Sequence, residues 1–188
     1  MRLVVSEFVS LDGVMEDPGG AEEYEHGGWT FTFDQGPDGA KFKVEELMAA
    51  DALLLGRTTY EGFAKAWPSI PDDEAGYSQR MNSMQKYVIS STLEQADWTN
   101  STVIGGDVAT EVPKLKAKPG GDLLVYGSAQ LVQALVALGL VDELRLTVFP
   151  VLLGGGKRLF DDSELRRFEV VESKPSGEVV LLTLRAAA

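Results

Sequence analysis

Short apolar runs alternate along this chain with longer mixed stretches. Leu3-Val4-Val5 followed by Phe8-Val9 predicts a strand, with Ser10-Leu11-Asp12-Gly13 as its end and turn. Ala52-Leu53-Leu54-Leu55 has no polar position, the pattern of a strand covered on both faces, and Gly56 closes it. Lys86 to Ser91, Thr102 to Ile104 and Leu123 to Tyr126 predict three more strands. Leu144, Leu146 and Val148 alternate with Arg145 and Thr147, the two-residue period of a half-exposed strand. Phe168 to Glu172 and Val179 to Leu184, joined across Pro175-Ser176-Gly177, predict a closing antiparallel hairpin.

Helical patterns fill the intervals. Phe42, Leu47 and Met48 predict a short helix with Glu45 and Glu46 facing water. Thr58-Thr59-Tyr60-Glu61 has capping-box spacing and predicts a helix that ends before Pro68. Tyr77 to Met84 is a further helical stretch, and Asp107 is placed to cap one through Val108, Val112 and Leu115, kinked or shortened by Pro113. The clearest helix starts with Ser128 as its cap, carries the stripe Leu131, Leu135 and Leu138, and ends at Gly139. Residues 14–40 are rich in Gly, Glu, Asp and Pro but hold Trp29, Phe31 and Phe33. Two readings fit that stretch: a surface loop whose aromatics plug the core edge, or a mobile flap over a site. The alternation as a whole predicts a single α/β domain, residues 1–188, built on a mixed sheet.

Composition narrows the chemistry. A chain of 188 residues buries about 70% of its unfolded surface, enough for a full core without staples. Cysteine is absent and His26 is the sole histidine, which excludes disulfides, cysteine nucleophiles and the usual zinc ligand sets; no metal site is expected. Seventeen basic against 29 acidic residues give a net charge of −12, which opposes nucleic-acid binding and anionic membrane surfaces. No apolar run approaches the ~18 residues of a membrane span, and the N-terminus lacks signal-peptide character, so a cytoplasmic location is expected.

Standard catalytic constellations are missing. His26 lies in an acidic stretch and reads as a solvated loop residue, and no Gly-x-Ser-x-Gly elbow exists. Gly154-Gly155-Gly156-Lys157 lacks the remaining features of a P-loop. What remains are strand-to-helix turns. Gly56-Arg57-Thr58-Thr59 and Gly127-Ser128-Ala129 each join an apolar strand to a helix start, where free amides and the positive dipole end favour an anion. Side by side at the carboxyl edge of an open sheet, they would suit the two halves of a pyrophosphate. Arg57 adds a permanent cation, and Ser90 and Ser91, at another strand end, suit an adenosine ribose or its 2′-phosphate. Taken singly, the Gly-Ser turn also reads as an ordinary cap and Arg57 as a surface salt-bridge residue.

These same residues carry a family resemblance. Gly56-Arg57-Thr58-Thr59-Tyr60-Glu61, after Leu53-Leu54-Leu55, resembles the dihydrofolate reductase motif G-R-x-T-[WY]-E at every defined position. Ser10-Leu11-Asp12-Gly13, Gly139-Leu140-Val141-Asp142-Glu143-Leu144 and Pro150-Val151-Leu152-Leu153-Gly154-Gly155-Gly156 resemble, in order, motifs of the reductase half of RibD, the bifunctional riboflavin-biosynthesis protein, and of its free-standing relatives. The resemblance implies a dihydrofolate reductase-like eight-stranded mixed sheet flanked by helices, NADPH as hydride donor, and a homodimer. It implies that Gly56, Arg57, Thr58 and Thr59 hold phosphates, with Arg57 near the 2′-phosphate. Ser90 and Ser91 would flank the adenosine, and Gly127, Ser128 and Ala129 would bind the pyrophosphate. The deaminase half of RibD needs cysteine, so only the reductase half is expected here.

The resulting expectation is an NADPH-dependent reductase of a planar polar heterocycle, of the 5-amino-6-(5-phosphoribosylamino)uracil reductase type. The alternatives are dihydrofolate reductase activity and a non-catalytic NADPH-binding protein. No acidic residue falls clearly in the helix that would match the pterin-binding carboxylate. Asp12 is the candidate substrate-orienting or proton-relay group, its other reading being a turn residue that bonds its own backbone. Lys157 and Arg158 are candidates for a substrate phosphate, or a solvated loop pair.

Overall fold

The most apolar runs of the chain occupy the middle of the molecule. Leu3 to Val5, Leu53 to Leu55 and Leu123 to Val125 are fully buried in three neighbouring strands. The computed structural model describes residues 1–160 and 165–187. In chain order it contains β1 (Arg2–Ser10), α1 (Gly36–Ala49), β2 (Ala50–Gly56), α2 (Arg57–Ala66), α3 (Tyr77–Ser83), β3 (Gln85–Ile89) and β4 (Ser101–Ile104). There follow α4 (Val108–Lys116), β5 (Asp122–Tyr126), α5 (Ala129–Ala137), β6 (Glu143–Phe149), β7 (Phe168–Ser176) and β8 (Val179–Ala186). The strands form one mixed sheet in the order β4-β3-β2-β5-β1-β6-β8-β7. The first six in that order run parallel, and β6-β8-β7 pair antiparallel, as the hairpin pattern requires.

Because the parallel strands run one way, their carboxyl ends share one edge. Register places Ser6 beside Tyr126, Leu54 beside Val125 and Gly56 beside Ile89. Neighbouring strands β2 and β5 then lead to opposite faces. α2 packs through Tyr60 into the core layer that holds Leu47 and Met81. α5 packs through Leu131 and Leu135 into the layer on the other face, with Val112 and Leu115 of α4. Adjacent parallel strands whose chains leave to opposite faces open a crevice at their carboxyl ends. Among the described residues, no helix is long and apolar enough to cross a membrane.

Several side chains differ from their sequence expectation. α1 starts at Gly36, a turn and more before Phe42, and Glu46 is buried instead of facing water. On α5, Leu138 is exposed while Val132 and Val136 complete the buried stripe, because a helix packed on a broad sheet buries more than one row. Thr147 is buried on β6, since that strand is covered on both faces. Pro113 neither shortens nor ends α4, which runs on to Lys116. In the stretch before α1, Trp29 is buried and meets Phe149 edge-on with ring centroids 5.1 Å apart, and Phe33 does the same at 5.7 Å. The plug reading therefore describes Trp29 and Phe33, while Phe31 projects outward at 76% exposure.

Lys86 on β3 is fully buried. Its ammonium donates to the carbonyls of Asn82, Met84 and Thr99 at 3.0, 2.8 and 3.0 Å and lies 4.1 Å from the Trp98 ring centroid. Burial pushes it down to about 8, yet the three carbonyls depend on it as donor. Lys86→Met should therefore cost roughly 2–4 kcal/mol in urea unfolding, since removing the donor strands buried acceptors. A loss within about 0.5 kcal/mol of zero, typical of surface changes, would contradict this account.

Candidate functional site

The crevice between β2 and β5 brings the two predicted turns into contact. Ser128, with φ 62°, turns its hydroxyl back across the strand boundary and accepts a hydrogen bond from the Gly56 amide at 2.9 Å. Gly127 also has positive φ, 59°, and a Cβ there would stand 2.9 Å from the Thr59 methyl. Glycine is thus required both by its backbone and by the approach of α2. The capping predictions are revised by this arrangement. Ser128 occupies the N-cap position of α5 but makes no side-chain cap bond, because its oxygen serves Gly56. No Thr58–Glu61 capping box forms either: α2 starts one residue earlier, at Arg57, and Glu61 pairs with Arg57. Two helix starts, of α2 and α5, are left without side-chain caps beside one another, so their first amides remain available to an anion.

Arg57 stands at the rim with 48% of its side chain exposed. Its guanidinium donates to Glu61 at 2.8 Å and to the Thr92 hydroxyl at 2.8 Å. Ser90 accepts from the amides of Thr92 and Leu93 at 3.2 and 2.9 Å, turning the chain after β3. The structure thus gathers Gly56, Thr59, Gly127, Ser128 and Ala129 at the crevice floor. Arg57 with Ser90, Ser91 and Thr92 lies to the β3 side, and Thr58 is exposed on the first turn of α2.

Asp12 follows the carboxyl end of β1. Its carboxylate accepts from the Ser10 hydroxyl at 2.7 Å and from the amides of Leu153 and Gly154 at 3.1 and 2.8 Å. These donors hold it at about 2, with the Ser10 bond the largest cause, so it is ionised at neutral pH. Its geometry is that of a clamp between the β1 turn and the glycine run. Nearby, Lys157 pairs with Glu16 and Glu22, and Arg158 donates to the Asp12 carbonyl.

A buried polar cluster next to Gly127 escaped the sequence reading. Glu46 Oε1 accepts from Ser6 Oγ at 2.7 Å, Lys43 Nζ at 3.0 Å and Tyr126 OH at 2.9 Å, while Oε2 has no partner. Lys43 also donates to Ser6 Oγ at 2.6 Å, and Tyr77 bonds the Tyr126 hydroxyl at 3.2 Å. Burial pushes Tyr77 up to about 12 and, with the Glu46 charge, lifts Tyr126 well above the usual phenol range. Glu7, next to Ser6 on β1, is buried beside the Gly127 amide, and desolvation raises it well above the usual carboxylate range despite Lys43. The only sequence signal for the cluster was the i, i+3 spacing of Lys43 and Glu46, which also fits a solvated helix face.

With this geometry in place, comparison with known proteins is informative. The RibD C-terminal domain model matches residues 2–182, and the chain belongs to that family. Two Bacillus subtilis (strain 168) proteins, both uncharacterised, are similar along most of their length. YyaP is 34% identical over 167 residues, covering 88% of this chain and 83% of its own. YwjB is 26% identical over 176 residues, covering 93% and 91%. Among solved structures, a Shewanella sp. PV-4 protein assigned to riboflavin biosynthesis superposes with TM-score 0.77 at 23% identity over all of both chains. Enterococcus faecalis dihydrofolate reductase, complexed with NADP(H) and RAB-propyl, gives 0.60 at 18% identity over 100% of this chain and 97% of its own. Acinetobacter baumannii RibD gives 0.68 at 16% identity over 99% of this chain and 58% of that longer one. The fold is thus the dihydrofolate reductase-like one expected from the sequence motifs.

The clamp at Asp12 has a pH signature. A carboxylate held at about 2 instead of its ordinary 3.8 contributes stability that is complete above pH 3.8 and lost as pH falls toward 2. Asp12→Asn should therefore be less stable than the parent at pH 7, with the gap closing between pH 4 and 2 in denaturant titrations. A gap that stays constant across that window would contradict the clamp.

Proposed function

We propose that this protein is an NADPH-dependent reductase that delivers a hydride to a C=N or C=O bond of a planar polar heterocycle, of the 5-amino-6-(5-phosphoribosylamino)uracil reductase type. The observation that carries the reading is the pair of uncapped helix starts facing one crevice between β2 and β5. A diphosphate needs a concentrated set of donors in a protein of net charge −12, and adjacent amide-rich turns supply it. Membership in the RibD C-terminal domain family and the likeness to a reductase crystallised with NADP(H) support an oxidoreductase.

The residues fit such a group. Gly56, Arg57, Thr58 and Thr59 would hold one phosphate, and Gly127, Ser128 and Ala129 the other. Gly127 leaves the backbone bare where a side chain would collide with Thr59. Arg57 would turn from Glu61 to the 2′-phosphate, with Ser90 and Ser91 flanking the adenosine. When bound, the reduced nicotinamide supplies the hydride. The chain's own part is to orient the two reactants, which accounts for much of the barrier reduction in such reactions. Glu7 favours its protonated form beside Gly127 and so adds little repulsion to the anion. Asp12 holds the surrounding loops, its carboxylate being already engaged by three donors.

Thermal and chemical unfolding with NADPH, NADP and NADH test binding directly. A ligand at 100 times its dissociation constant stabilises by about 2.7 kcal/mol. No shift with any of the three would overturn the reading. Loss of NADPH absorbance with 5-amino-6-(5-phosphoribosylamino)uracil, compared with dihydrofolate, separates the leading substrate from the runner-up, and binding without turnover marks a non-catalytic nucleotide binder. Arg57→Ala should weaken NADPH about tenfold, or about 1.4 kcal/mol, while NADH changes less. Equal affinities in parent and variant would remove the 2′-phosphate role.

A further inference from the structure

The cluster around Glu46 is built like a holder for one ammonium. Lys43 Nζ has three hydrogens and no acceptor capacity. One hydrogen goes to Ser6 Oγ at 2.6 Å and one to Glu46 Oε1 at 3.0 Å. The ammonium lies over the Phe8 and Tyr126 rings, 4.6 and 5.3 Å from their centroids, which fixes it between two aromatic faces. Glu46 is itself 1% exposed, yet 13% of the Lys43 side chain still reaches the surface. A buried carboxylate is costly unless paired, so an ion pair kept here, where an apolar pair would pack equally well, calls for a use.

Its position suggests that use. Tyr126 immediately precedes Gly127, and Ser6 lies beside Tyr126 in the sheet, so the cluster borders the crevice on its α1 side. We infer that Lys43, positioned by Glu46 and Ser6, is the substrate-binding cation of this site and bonds with its third hydrogen to a carbonyl or enolate oxygen of the planar ligand. A pure donor selects an acceptor atom, and a cation favours an oxygen that gains negative charge as a hydride reaches the conjugated ring. Glu46 and Ser6 act through Lys43 as positioning residues. This inference rests on the proposed reductase reading for its location beside the nucleotide crevice, and it adds the group that recognises the other reactant.

The test uses the intact protein and lumazine, a fluorescent planar pteridinedione, as the oxygen-bearing probe. Lumazine quenching is titrated with NADP present, and NADPH affinity is measured separately by energy transfer from tryptophan. Lys43→Met should weaken lumazine at least tenfold and leave NADPH affinity within twofold. Because that variant leaves Glu46 buried without its cation, the double variant Lys43→Met with Glu46→Gln is measured alongside. It keeps the acceptor for Ser6 and Tyr126 and should show the same selective loss. Lys43→Arg should retain part of the affinity. Failure of the parent to bind lumazine, or unchanged lumazine affinity in the variants, would overturn the role of Lys43. Lysine-dependent lumazine binding without any NADPH binding would support Lys43 and overturn only the cofactor reading.

Discussion

Everything at the carboxyl edge follows from the divergence of two neighbouring parallel strands. β2 and β5 hydrogen-bond along their length, but α2 and α5 then leave for opposite faces. The two helices therefore point their amino ends at a shared gap instead of packing against each other. The bond from the Gly56 amide to the Ser128 hydroxyl closes that gap at its base and fixes the spacing of the two turns. The same bond removes Ser128 as a cap for α5, so one side chain both joins the turns and leaves the helix start open to an anion.

The body of the protein and its crevice have opposite electrostatic character. Acidic residues outnumber basic ones by twelve, yet over the ~8 Å Debye length of physiological salt this surplus is screened, while backbone amides act at contact distance. Local charges near the crevice are also restrained. Glu7 is pushed toward its neutral form by burial, Glu46 is balanced by Lys43, and Glu61 is balanced by Arg57. Asp12 remains charged, but its charge is spent on the Ser10 hydroxyl and the backbone of the glycine run.

The sheet was legible because its central strands are local apolar runs bounded by glycine, and a parallel strand buried on both faces announces itself in a few residues. The turns at Gly56 and Gly127 were legible for the same reason. What failed was the fate of polar groups whose partners are distant in sequence. Glu46 reads as a solvated helix residue until Ser6, 40 positions away, and Tyr126, 80 positions away, are brought against it. Thr58 to Glu61 has capping spacing, but Glu61 finds Arg57 one turn back and the helix begins earlier. Lys86 looks like an edge residue of a strand end, and only the chain reversal after α3 delivers its three carbonyls. The loop before α1 left two readings open because burial of Trp29 and Phe33 depends on Phe149, far along the chain.

The central claim is that the amides at the starts of α2 and α5 together receive a diphosphate. Two-dimensional amide NMR during addition of NADP observes those groups directly. The account predicts that the largest shifts cluster at Thr58, Thr59, Ala129 and Gln130, on both sides of the crevice at once. Shifts confined to one turn, or centred on another edge of the sheet, would contradict it.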